Sequence, residues 1–407
     1  MQAMSHTDQD AIWVENFEPL EQPLRIAVVT ETWPPEVNGV ALTLSKLVHH
    51  LRIKDHTIQL IRPRQDKYDI GDDKLGWTEL LLRGLPIPKY PQLKLGLPSK
   101  KALIKAWTHK RPDLVHIATE GPLGWSALQA ATLLRLPVTS DFRTNFHSYS
   151  KHYGVGWLSK PIVAYLRKFH NRTACTMVPT QSLKVQLETS GFQKLRVIAR
   201  GVDTKLFHPG QRSQSLRDSW SASAKDIVLL SVGRLAAEKN LDLIVNTYTS
   251  LLQSGRKVKL VFAGDGPYRA YLQSKCPDAI FTGMCSHAEL AAVYASSDLF
   301  LFPSLTETFG NVTLEALACG TPVLAFDCAA AGEWVMEGQN GWLIHGEDDQ
   351  RYALKALDIC KDHQTLEKAR QFTAASVANL DWHAIADQVE HIFRETIEAS
   401  HIKAYEA

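Results

Sequence analysis

The chain has 407 residues, with 45 Lys/Arg against 43 Asp/Glu and a net charge of +2. Hydrophobic residues make up 45% and charged residues 22%, a globular balance that excludes a disordered or fibrous protein; at about 100–200 residues per domain, two domains fit best. No apolar run reaches the ~18 residues of a membrane-spanning helix, and six cysteines without a CxxC pair make neither a disulfide scaffold nor a zinc site.

The first segment, Met1–Glu18, is polar and acidic with no apolar stretch, so no secretory leader is expected and reduced thiols suit a cytoplasmic protein. Arg25–Thr30 (RIAVVT) reads as a buried parallel strand, and Val40–Leu51 follows with helical spacing. Strands are expected again at Thr57–Arg62, Leu114–Ala118, Pro137–Ser140 and Thr176–Pro179. After Arg200-Gly201-Val202-Asp203 the pattern restarts, with strands at Asp226–Val232, Lys257–Ala263, Ala279–Thr282, Leu299–Pro303 and Pro322–Ala325. Trp382–Ser400 reads as a final amphipathic helix. Two βαβ series imply two doubly wound α/β domains, with ligands at the carboxyl ends of the strands.

Charge is unevenly spread. Between Arg83 and Arg172 fifteen Lys/Arg face three acids (Asp113, Glu120 and Asp141), a net of +12. That asymmetry points to an anionic partner: a membrane surface, phosphate groups or nucleic acid. No nucleic-acid-binding signature is present. Apolar residues interleave with the charges in Leu93–Trp107 and Trp157–Phe169, as in an interfacial helix at anionic headgroups. A solvated basic face on core-packed helices would give the same pattern.

Five strand-end segments concentrate polar chemistry. In Thr30–Val40 (TETWPPEVNGV), Asn38-Gly39 suits a tight left-handed backbone ahead of a helix, letting main chain approach a ligand. Asp141–Tyr149 (DFRTNFHSY) packs Asp, Arg, Asn, His and Tyr into one loop, a density more typical of a site than a core; Arg143 and His147 are its candidates. In Ser231–Asn240 (SVGRLAAEKN), Arg234 and Lys239 follow a strand and suit a diphosphate, one as a fork of donors and one as a point charge. Phe262–Arg269 (FAGDGPYR) begins like a dinucleotide fingerprint but has Arg269 at the third glycine position, which disfavours a dehydrogenase and suits a turn beside a nucleotide. In Phe302–Gly320 (FPSLTETFGNVTLEALACG), Glu307 lies on a loop and a helix begins near Gly310 with Glu315 in its second turn. The helix start is an anion site, and both glutamates can face one polyhydroxylated ligand. Asp72-Asp73 and Asp348-Asp349 read as solvated loop pairs, so no metal site is expected.

As a set, these segments resemble the retaining, nucleotide-sugar-dependent glycosyltransferases of the GT-B fold, family 4 (group 1), most closely the bacterial GDP-mannose-dependent α-mannosyltransferase and glycolipid glycosyltransferase branch. The resemblance covers nearly the whole chain. It implies an acceptor-binding Rossmann-like domain over 1–205, a nucleotide-sugar-binding one over 206–381, and a helix over 382–407 packing back on the first. It implies that Arg234 and Lys239 hold the donor diphosphate, Glu307 contacts the transferred sugar and Glu315 holds the ribose hydroxyls. Phe309-Gly310-Asn311 would hold diphosphate or sugar, Gly39 would lie near the diphosphate, and Gly264, Gly283 and Met284 beside the nucleotide. The chain departs from the family in having Asn38-Gly39 where relatives often have two glycines. It also has Arg143 where many have an active-centre histidine; Arg143 or His147 takes that place. The implied reaction transfers mannose or glucose with retention, by same-face attack, from a donor such as GDP-mannose or UDP-glucose, with no metal or other cofactor. A lipid or lipid-linked acceptor, met peripherally at the cytoplasmic face of the inner membrane, would account for the basic window. An epimerase or phosphorylase-like enzyme, and a non-catalytic scaffold, are the readings that compete on the same architecture.

Overall fold

A computed structural model describes residues 22–36, 38–87, 90–143 and 159–405. The first sheet is built from β1 (Arg25–Val29), β2 (Thr57–Pro63), β3 (Asp73–Lys74), β4 (Trp77–Leu82), β7 (Leu114–Ile117), β8 (Val138–Asp141), β9 (Cys175–Val178) and β10 (Leu195–Val197). Its order is β10-β9-β8-β7-β1-β2-β4-β3, parallel except where β3 meets β4. A hairpin of β5 (Gly84–Ile87) and β6 (Tyr90–Gly96) stands beside it. The second sheet is wholly parallel: β11 (Ile227–Val232), β12 (Val258–Ala263), β13 (Ile280–Gly283), β14 (Leu299–Phe302), β15 (Val323–Phe326) and β16 (Gly341–Ile344), in the order β13-β12-β11-β14-β15-β16.

Parallel strands need crossover helices on both faces, so central strands are apolar without alternation. Ala27, Val28 and Val29 of β1 and Val228, Leu229 and Leu230 of β11 are accordingly buried on both sides. Strand order reverses between β1 and β7 in one sheet and between β11 and β14 in the other. Such switch points open a crevice beyond the strand ends, and the loops after β1, β8, β11 and β14 carry most of the candidate residues.

The final helix, Trp382–Tyr405, returns to the first sheet and packs on the helix Gly39–Ile53. Ile385, Val389 and Phe393 join Leu44, Leu47 and Leu51 in one apolar core, each buried side chain contributing about 1.5–3 kcal/mol. Lys54 reaches Asp387 at 2.6 Å and also pairs with Glu390, which Arg394 holds at 2.6 Å. The buried Glu390 carboxyl is pulled down to about 2 because these cations outweigh its desolvation.

Two sequence expectations change. Asn38 is not left-handed: its backbone is extended, and its side chain accepts hydrogen bonds from the Val40 and Ala41 amides, capping the helix Gly39–Ile53. A side-chain cap satisfies helix-start amides that a left-handed turn would leave open. In Leu93–Trp107, Leu103 and Trp107 are completely buried, and Trp107 Nε1 donates to Gln59 at 2.9 Å. Leu166 and Phe169 of the helix Ser159–His170 are also core residues. These four apolar residues therefore fill the interior, while Leu95 and Tyr165 are exposed beside the exposed Lys100, Lys101, Lys105, Arg167 and Lys168. His147, Trp157 and Leu158 lie outside the described residues.

Candidate active site

β11 ends at Val232, and the chain passes through Gly233 and Arg234 to a short 3-10 turn at Ala237–Lys239. β14 ends at Phe302 and leads through Ser304 and Glu307 to the helix Asn311–Ala318. These loops are tied together. The Lys239 ammonium donates to Glu307, Ser304 Oγ donates to the same carboxylate at 3.0 Å, and Thr306 Oγ1 donates to the Glu238 carbonyl at 3.2 Å. Arg234, about half exposed, is ion-paired with Glu238. Both predicted cations thus stand at the switch point, each beside a carboxylate.

The helix Asn311–Ala318 starts from Gly310, whose φ of 87° is left-handed and strongly favours glycine; no side chain caps it. Its first amides can therefore serve an anion, reinforced by the helix dipole. Phe309 is buried beneath this start. Glu315, one and a half turns in, accepts from the Tyr294 hydroxyl at 3.0 Å. Protein surrounds its carboxylate, yet one side stays open to the cleft, and burial pushes it up to about 7.

At the other rim, Gly264 N–H donates to the Gly283 carbonyl at 2.9 Å, joining the ends of β12 and β13. A Cβ at Gly264 would lie 2.1 Å from the Gly233 carbonyl, so glycine here is required by loop-to-loop packing in addition to any ligand role. Met284 is 72% exposed just beyond Gly283.

The first sheet supplies the facing wall. Arg143, following β8, donates to the buried Asp141, whose carboxylate also lies 3.3 Å from His116 Nε2. The Arg143 guanidinium, with the His116 ring beside it, overcomes burial and holds Asp141 well below the usual carboxylate range. Arg143 is therefore a partnered cation at the cleft floor. A second guanidinium, Arg200, stands between the two halves: 3.5 Å from Asn311 Oδ1 and 5.4 Å from the Phe309 ring centre. A Cβ on Gly39 would meet it at 3.9 Å. Sequence reasoning passed over Arg200 as linker, because nothing local marks it; its meaning comes from the two halves converging on it. The buried carboxylate Glu31 was likewise passed over. It accepts from the Leu123 amide at 3.0 Å, near the start of the helix Pro122–Leu133, and burial pushes it up to about 7.

Beside Glu307 opens a cavity of about 380 Å³. Phe142, Val163, Leu166, Leu183, Leu187 and Phe192 wall it on one side, and Leu305, Thr308 and Asp327 on the other. Thr180, Ser182, Gln186 and Ser190 add polar groups to its lining, so Glu307 sits at the meeting of a cationic rim and a chamber with one strongly apolar wall. Among the described residues no cluster of His, Cys, Asp or Glu could hold a metal ion.

Two doubly wound sheets with cations and an uncapped helix start at their facing strand ends define a nucleotide-sugar-dependent glycosyltransferase of the GT-B fold. A solved structure shares this fold: sucrose-phosphate synthase from Thermosynechococcus elongatus superposes with a TM-score of 0.74 at 19% identity, covering 92% of this chain and 100% of that one. The model for Glycosyltransferase Family 4 matches residues 37–206 and that for Glycosyl transferases group 1 matches 213–376. A GDP-mannose-dependent alpha-mannosyltransferase of Corynebacterium glutamicum is 32% identical over 384 residues, 93% of this chain and 91% of that protein. An alpha-monoglucosyldiacylglycerol synthase of Streptococcus pneumoniae is 28% identical over 368 residues, 86% of this chain and 83% of that protein. The chain belongs to glycosyltransferase family 4, group 1, and is a hexosyltransferase.

Proposed function

We propose that this enzyme transfers a mannosyl group, with retention, from GDP-mannose to a hydroxyl of a lipid or lipid-linked acceptor at the cytoplasmic face of a membrane. The observation that carries this reading is the Lys239–Glu307 pair standing between an uncapped helix start and a chamber with one apolar wall. Negative charge grows on the diphosphate as the glycosidic bond breaks. Arg234, Lys239 and the amides at Asn311 are fixed in advance to receive it, which is commonly the largest catalytic term. Glu307 faces the transferred sugar and Glu315 the ribose, and the scheme uses no metal. The apolar wall of the chamber, Phe142, Val163, Leu166 and Phe192 among its residues, favours a lipid-bearing acceptor over a free-sugar epimerase or phosphorylase. Support for mannose and guanine comes from the relative named above that uses GDP-mannose.

The test is a panel of nucleotide sugars, with and without divalent metal, read by thermal shift and released nucleoside diphosphate. GDP-mannose at a hundred times its Kd is expected to stabilise the fold by about 2.7 kcal/mol and to release GDP slowly without metal. Stronger stabilisation by UDP-glucose would replace the donor.

Membrane contact rests on the exposed Lys100, Lys101 and Lys105 on the helix Lys100–His109 and on Arg167 and Lys168 nearby. Because Leu103, Trp107, Leu166 and Phe169 are interior, attachment should be mainly electrostatic, about 1 kcal/mol per basic residue near an anionic surface. Co-sedimentation with anionic vesicles should fall steeply between low and physiological salt, and K100E/K101E/K105E should abolish it. Equal binding to zwitterionic vesicles refutes this placement. Among the described residues no helix is long and apolar enough to cross a membrane.

A further inference from the structure

We propose that Arg200 is a third phosphate-binding cation of the cleft, supplied by the segment that joins the two sheets and engaging the donor diphosphate together with Arg234 and Lys239; this rests on the transferase reading above.

Among the described residues the Arg200 charge has no carboxylate partner. Arg200 follows β10 and precedes Val202, whose amide donates to the Leu380 carbonyl at 2.8 Å, so its backbone is anchored where the chain crosses between halves. Its guanidinium lies between the first residues of two helices, Gly39 in one half and Asn311 in the other. Among the described residues its only hydrogen bond is the long one to Asn311, and none of their carboxylates lies within ion-pairing distance. The other cations differ: Arg143 is answered by Asp141, Arg234 by Glu238 and Lys239 by Glu307.

Enclosed by protein on most sides, Arg200 remains open to the cleft. Burial, with Arg143 adding repulsion, pushes its guanidinium down to about 9. A cation kept partly desolvated without a counter-ion is costly unless an anion arrives. The space is shaped for one: Gly39 contributes no side chain, the helix start at Asn311 is uncapped, and a guanidinium fork matches two phosphate oxygens. A phosphate there would touch elements of both halves, so donor binding and closure of the cleft become one event.

The test is calorimetric titration of the full chain with GDP, GMP and GDP-mannose, comparing wild type, Arg200→Ala and Arg200→Lys. Loss of a charge-assisted contact is expected to weaken GDP and GDP-mannose by about tenfold or more, with GMP nearly unchanged. Lysine, a point charge without the fork, should recover part of the loss. The ligand-free thermal midpoint should stay level or rise, which a merely structural arginine would not allow. Unchanged GDP affinity in Arg200→Ala overturns the inference; if acceptor KM rises instead, the phosphate recognised is the acceptor's. Equal loss of GMP also overturns it. In either case the transferase reading survives, because wild type still binds GDP-mannose. Failure of wild type to bind any nucleoside diphosphate removes both.

Discussion

Replacement of Glu307 by alanine is expected to lower kcat about a hundredfold or more while leaving GDP affinity unchanged or improved. The split follows from the pair it makes. Lys239 donates to Glu307 in the ligand-free chain, and Ser304 holds the same oxygen. Removing the carboxylate frees the ammonium to meet a diphosphate, so the leaving group is held at least as well. On the proposed reading, what disappears is the carboxylate that meets the transferred sugar in the transition state, where deletion of a single preorganised partner costs about 10²–10³ in kcat. Glu307→Gln, which keeps the shape but not the charge, should fall between. Steady-state turnover and GDP titration on the same preparations check this, and parallel loss of both quantities would assign Glu307 to donor binding instead.

Glu315→Gln is expected to stabilise the ligand-free protein at pH 8 and to weaken nucleotide binding. Burial raises this carboxyl from its ordinary 4.5 to about 7, so over that interval the folded protein holds a proton that the unfolded chain has released. The stability contributed by the group is complete below 4.5 and is lost as pH climbs through 7. Above that point a desolvated charge remains, and the neutral amide relieves it, by about 1–2 kcal/mol after allowance for the open side toward the cleft. Wild type and variant should therefore have similar midpoints near pH 4 and diverge by pH 8. Ribose hydroxyls donate more strongly to a carboxylate than to an amide, so GDP affinity should drop by about tenfold at pH 8. A variant that is less stable at pH 8 would assign Glu315 to holding Tyr294 in the core.

Much of this was legible along the chain because parallel strands advertise themselves: Ile227–Val232 and Val258–Ala263 have no polar face to disguise them. The segment Asp73–Gly96 was unread because its four short strands lie among Gly and Pro and carry no clean period. Leu103 and Trp107 show a different difficulty. Their four-residue spacing beside lysines satisfies an interfacial helix and a core-facing helix equally, and only the Gln59 partner of the indole decides between them. At the site, Glu307, Glu315, Arg234 and Lys239 were visible as strand-end residues of the right chemistry. Their pairing was not, since Lys239 and Glu307 are 68 residues apart. Arg200 was invisible because a position between domains gains its surroundings only when both are folded.

The last helix has a consequence for synthesis. Lys54 bonds to Asp387, 333 residues further on, and the helix Gly39–Ile53 shares its apolar face with Ile385, Val389 and Phe393. A nascent chain leaving the ribosome therefore carries its first sheet with one flank uncovered until a helix 333 residues downstream of Lys54 has been made. The first sheet must wait, partly assembled and exposed to unwanted association, for a segment so distant along the chain.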